Sequence, residues 1–177
     1  MLASDTFMVI FRVIHILAGV IWVGSVFLLV VFVQPSAAAI APAGAPFMTE
    51  LLGKRHLVDW ILTTAAITVL GGLFLYWHDW HTYYGSFSEW TNSSFGGTLT
   101  FGALCAIAAM VIGIVGTRPT VGRFFKLAGE VAASGAPPSP EVGAQMVALQ
   151  NRLKILARIS LVLLIFAVLG MATARYL

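Results

Sequence analysis

Four stretches of this 177-residue chain are apolar for long enough to cross a bilayer, at about 7–33, 58–77, 99–116 and 159–174. A helical span needs about 20 mainly apolar residues. The hydrophobic residues run on without period-2 alternation, which fits lipid-facing helices and argues against a transmembrane barrel. Apolar residues make up 59% of the chain and charged residues only 10%, against roughly 25% charged in soluble domains. A water-soluble fold of this size could not bury that much apolar surface, so the expected fold is all-α, a single transmembrane domain built as a four-helix bundle.

The first span precedes Ala37-Ala38-Ala39 but has no basic segment before it, and its apolar core is too long for a cleaved leader. It reads as a retained anchor helix. The segment 34–57 carries Lys54 and Arg55, and 117–158 carries Arg118, Arg123, Lys126, Arg152, Lys154 and Arg158, whereas 78–98 has neither Lys nor Arg. The positive-inside rule then puts the first two on the cytoplasmic side and 78–98 outside with both termini. Trp77, Trp80, Tyr83, Tyr84 and Trp90 would form an aromatic belt on that outer side. This distribution, in a bacterial-type inner membrane, accounts for the net charge of +3 better than nucleic acid does, because no basic groove with interleaved aromatics accompanies it.

Ser139-Pro140-Glu141 has the cap, first-turn proline and early acid of a helix start. Val142, Met146, Leu149, Leu153 and Leu156 follow at helical spacing. Val121, Phe124, Phe125 and Leu127 suggest that the third helix continues past Pro119. Helices three and four would thus extend as a cytoplasmic helical hairpin over about 117–158, either packing on itself or docking a partner. Within the membrane, Gly102, Ala106, Ala109, Gly113 and Gly116 on the third span, and Thr64, Thr68 and Gly71 or Gly72 on the second, recur at spacings of three and four. Small residues at that spacing let helices approach closely where lipid supplies no hydrophobic drive. Cys105 sits in an apolar stretch and reads as a packing residue.

Ionisable groups within a span cost about 2.5–3.5 kcal/mol at a helix centre, so each is a candidate functional group. Arg12 and His15 qualify, and with Gly19 and Trp22 they share one helical face. A helix entering near Phe7 would carry His15 roughly 12 Å deep, in the outer leaflet. A neutral imidazole there can ligate haem iron or copper. Gly19 would leave room for a flat ring, Trp22 would pack on it, and Arg12 could pair with a propionate. The alternative is a histidine hydrogen-bonded to a neighbouring helix, with Arg12 snorkelling outward. Met171 is at a suitable depth for a second axial ligand, and His78 and Met8 less so; His56 lies at the opposite end of its helix. His78-Asp79-Trp80-His81 could bind copper or zinc through His78 and His81. Asp59 could pair with Arg55 one turn before it, in an interfacial basic cluster with Lys54 and His56. There is no phosphate loop, HExxH, G-x-S-x-G or run of intramembrane acids, which argues against hydrolases, ATP-driven machines and proton pumps.

The segment His15-Ile-Leu-Ala-Gly-Val-Ile-Trp22-Val-Gly24 resembles the opening of the membrane domain in copper-resistance D-type (CopD-like) proteins and their small four-helix relatives. Gly71 to Trp77, Gly135 to Glu141 and Gly170 to Leu177 resemble stretches of those small relatives, so that this likeness spans nearly the whole chain. It implies a fold and no activity. The His-to-Trp spacing also resembles the first helix of HemJ-type protoporphyrinogen oxidases, which implies haem at His15. That family continues with a Pro-Arg pair, where this chain has Val30-Val31 and then Gln34-Pro35-Ser36, so no other residue of that active site carries over. The leading expectation is a membrane redox or electron-transfer protein holding haem b, or else copper, at His15. The alternatives are a cofactor-free scaffold subunit of a larger complex or homo-oligomer, and a copper or small-solute permease.

Overall fold

Proline and glycine decide where the long helices bend and where they stop. The computed structural model describes residues 2–177, the first four of these as backbone only. Helix α1 (Leu2–Leu28) passes through a π turn (Leu29–Val33) into α2 (Gln34–Ala39) without interruption. Pro35 lacks the N–H that a regular helix would bond to the preceding turn, and its ring crowds that turn's carbonyl. The widened turn just before it, closed by the Gln34 N–H on the Leu29 carbonyl, absorbs the conflict. The same device recurs where α6 (Ser94–Val111) passes through a π turn (Ile112–Thr117) into α7 (Arg118–Ser134), with Pro119 in the first turn. The third long helix therefore does run past its proline.

Segment 34–57, expected as a loop, is largely helical. After α2 come α3 (Gly44–Thr49) and a π turn (Glu50–Lys54). The short helices meet where Gly44 lies directly on the Ala37 backbone, a closeness that any Cβ would prevent. His56 then takes a left-handed conformation (φ 51°) and starts α4 (Leu57–Tyr83). The reversal places Arg55 and Asp59 on different helical elements, so the expected Arg55–Asp59 pair does not form. Instead Arg55 and Lys54 each lie 3.1 Å from Glu50, and Asp59 accepts from Arg118 Nε at 2.9 Å.

Between α4 and α6 the chain makes α5 (Phe87–Asn92), with Ser86 capping it through the Glu89 N–H and Ser93 capping α6 through the Gly96 N–H. Trp90 is no belt residue: it is fully buried, boxed in by Tyr76, Tyr84 and Phe95. Gly135, in the left-handed conformation that glycine tolerates, ends α7. Helix α8 (Pro140–Thr173) begins with the Ser139 hydroxyl accepting from the Val142 N–H at 3.3 Å.

Four helices are long and apolar enough to cross a membrane, Thr6–Ala39, Leu57–Tyr83, Ser94–Ser134 and Pro140–Tyr176, and no strand occurs among the described residues. They associate as two pairs, α1 on α4 and α6 on α8. In the second pair the backbones nearly touch: a Cβ on Gly170 would stand 3.1 Å from the Gly102 Cα. The pairs close on each other through Trp22, Val26, Ala65, Cys105, Ala109 and Leu164, among one buried cluster. Outside that cluster Val20, Trp60, Leu70 and Val115 each expose about two thirds of their surface, an arrangement suited to lipid. The chain is a multi-pass membrane protein.

Candidate functional site: a cavity at His15 between the helix pairs

The α1–α4 pair is fitted together around the His15 ring. His15 Nδ1 lies 2.7 Å from the backbone carbonyl oxygen of Thr68 on α4. A carbonyl can only accept, so Nδ1 carries the proton and donates, and the ring's lone pair is left on Nε2. The space for the ring is made by Gly72, where a Cβ would stand 2.7 Å from His15 Cε1. Gly19, one turn along α1, packs against the Thr68 methyl, where its own Cβ would make a 3.4 Å contact. The sequence alternative of a histidine bonded to a neighbouring helix thus describes one edge of this ring. The other edge is distinguished by what lies beside it.

A cavity of about 720 Å³ separates the two helix pairs, within the range of about 300–1,000 Å³ usual for ligand sites. Arg12, His15, Gly19 and Trp22 line it from α1, and Met171 lines it from α8. Five residues singled out from the sequence as a cofactor-binding set therefore face one space. Trp22 is almost wholly buried. Met171 is held where α6 and α8 approach most closely, its backbone N–H 3.3 Å from where a Gly102 Cβ would be.

The polar groups gather at one end. Arg12 lies 3.8 Å from the Asp79 carboxylate, which also meets His78 Nδ1 at 3.4 Å. Arg12 keeps 58% of its side chain exposed, whereas Asp79 keeps 16%, so the snorkelling cation leans on a largely buried anion. The Tyr76 hydroxyl, also of this lining, is satisfied by Thr100 at 2.8 Å. The remaining walls are apolar, among them Val23, Leu99, Ala106 and Leu164.

The other candidate ligands lie outside this space. His78 is taken up with Asp79, and His81 stacks on Trp77 and Trp80 with centroid separations of 5.0 and 4.5 Å. His56, 69% exposed, sits at the opposite end of α4 beside Asp59. Among the described residues, no three His, Cys, Asp or Glu side chains gather as a metal site. Thr68, Gly72, Tyr76 and Asp79 were not recognised from sequence as parts of this site. Gly71-Gly72 inside an apolar run was a signal, as was a carboxylate at the depth of Arg12.

The fold and the cavity define an all-helical, multi-pass membrane protein with a largely apolar cavity between its helix pairs, lined by a histidine. No family model, curated protein or solved structure matches the chain.

Proposed function

We propose that this protein is a membrane redox protein that holds a b-type haem in the cavity, with His15 as the iron ligand. The observation that carries the reading is the Nδ1–H donated to the Thr68 carbonyl. Ligating histidines characteristically give their other ring N–H to a carbonyl or carboxylate, which fixes the tautomer and raises the basicity of the free nitrogen. A cavity of about 720 Å³ is far larger than a bare copper ion needs, and a His/Met pair beside a wide apolar space suits a planar macrocycle better than a closed copper centre. Haem supplies one-electron chemistry when bound.

The residues present fit the group. Met171 offers a thioether from the opposite helix pair as a second ligand, Trp22 a buried aromatic wall, and Gly19 an uncrowded stretch of α1. Arg12 and Asp79, 3.8 Å apart, give the cavity a polar end of offsetting charge. The resemblance of the His15 to Gly24 segment to CopD-like and HemJ-type first helices adds to the support. In this reading the Lys- and Arg-bearing hairpin of α7 and α8 faces the cytoplasm of a bacterial inner membrane, and the His15 end of the cavity faces outward.

The test is an optical spectrum of detergent-purified protein before and after dithionite, with the haem extracted and quantified against protein. A Soret band that sharpens on reduction, at one haem per chain or per dimer, is expected. A featureless spectrum with blank iron analysis would remove the redox reading and leave a scaffold role as the better one.

A further inference from the structure

The cavity is open on one side, and the open side faces where lipid would be. Arg12, Ile16, Val20 and Gly24 recur every four residues on α1; all four line the cavity and all four are exposed. Opposite them on α8, Val168 and Ala172 are likewise exposed and lining. A Cβ on Gly24 would meet nothing within 4 Å. None of the α6 residues that line the cavity is exposed, and on α4 Leu73 alone among the lining residues is. The opening is therefore a slot between α1 and α8, and the row from Arg12 to Gly24 is roughly 18 Å long at 1.5 Å per residue. Below it, Val26 of α1 and Leu161 of α8, neither of which lines the cavity, belong to the buried cluster.

The slot is apolar along its length and polar at one end, where the Arg12 guanidinium and Asp79 carboxylate lie 3.8 Å apart. Because the two charges offset each other, that end suits an uncharged head with hydroxyl groups better than an anionic phosphate head. Its donor and acceptor can each bond one hydroxyl, and the apolar row can take a hydrocarbon tail.

Resting on the redox reading above, we propose that the slot admits a quinol dissolved in the bilayer, head toward Arg12 and Asp79 and tail along Ile16 and Val20, as the electron donor to the group held at His15. The quinol loses two electrons and two protons and leaves as the quinone. A one-electron acceptor held at His15 would take one electron, so each quinol would serve two protein molecules, and the two protons would leave past Asp79 and His78 to the aqueous face.

Two measurements on the full-length protein in nanodiscs test this. The first is photolabelling with a short-tailed azidoquinone, mapped by mass spectrometry. Label is expected on the 16–20 and 168–172 segments, with loss on competition by unlabelled quinone and in Val20→Trp, and no competition by added phosphatidylcholine. The second is the rate of haem reduction by a short-tailed quinol, expected to drop in Val20→Trp while reduction by dithionite is unchanged. Coloured protein whose labelling is scattered over the lipid-facing surface, is competed by phospholipid, or ignores Val20→Trp would overturn the quinol site and leave the haem reading standing. Colourless protein would overturn both, and slot labelling in such protein would identify an amphiphile site without an electron-transfer role.

Discussion

Gly72 holds open the space that the His15 ring fills. A Cβ at position 72 would stand 2.7 Å from His15 Cε1, closer than real Cβ contacts come, and a tight 3.1 Å from Nδ1. Gly72→Ala should therefore push the ring off the Thr68 carbonyl, costing that hydrogen bond, worth about 0.5–1.5 kcal/mol net, and weakening haem retention. Gly71→Ala is the control, since its Cβ would meet His15 Cβ at an ordinary 3.5 Å. Haem content per chain after purification should fall in the first variant and hold in the second.

The α6–α8 pair depends on two glycines facing each other. A Cβ at Gly170 would lie 3.1 Å from Gly102 Cα and 3.2 Å from the Thr98 carbonyl oxygen, both backbone atoms that cannot swing away. Gly170→Ala should destabilise by about 1–3 kcal/mol, the usual cost of overpacking. Thermal unfolding in detergent would show a lowered midpoint, whereas Gly129→Ala, with open space around its Cβ within α7, should hold or raise it, because alanine is favoured over glycine in a helix by about 0.5–1 kcal/mol.

These contacts show what could be read in advance. The spans were legible because lipid demands unbroken apolar runs, and the small-residue rows on α4 and α6 because only small residues permit such approach. The start of α8 was legible because Ser139-Pro140-Glu141 carries its own cap. The helical character of 34–57 was not, since it depends on π turns and a left-handed His56 that are settled by packing. Within the site, Arg12, His15, Gly19 and Trp22 share a face of one helix, so their spacing alone grouped them. Thr68, Gly72 and Asp79 belong to another helix, and their role follows from the register of α1 on α4, which no single-helix pattern encodes. Trp90 was misplaced in the belt because an aromatic beside the membrane looks alike in sequence whether it anchors in lipid or fills a pocket under Tyr76 and Tyr84.

At the other end of the molecule, Asp59 joins α4 to α7 through Arg118 Nε at 2.9 Å, with both side chains about half exposed or more. Exposed pairs of this kind are worth about 0–1 kcal/mol. Arg118→Ala should shift the unfolding midpoint slightly at low ionic strength, and the difference from wild type should vanish in high salt.

Lys54 foremost, and Arg55 after it, donate hydrogen bonds to Glu50 and hold its carboxyl below the usual glutamate range. A carboxyl depressed in the folded state stabilises above its unfolded value, near pH 4.3, and that contribution is lost as pH falls through the folded value. Thermal unfolding of wild type and Glu50→Gln should therefore differ at pH 6 and converge as the pH is taken below about 4.

The central claim is that His15 holds haem, and a side-by-side spectrum of His15→Ala and His56→Ala tests it most directly. Both variants remove one imidazole from a long helix or its end, but only His15 lines the cavity, whereas His56 is exposed at the far end of α4. The expected result is a reducible Soret band in wild type and His56→Ala that is absent from His15→Ala, with all three proteins monodisperse. Equal colour in His15→Ala, or no colour in any of them, would contradict it.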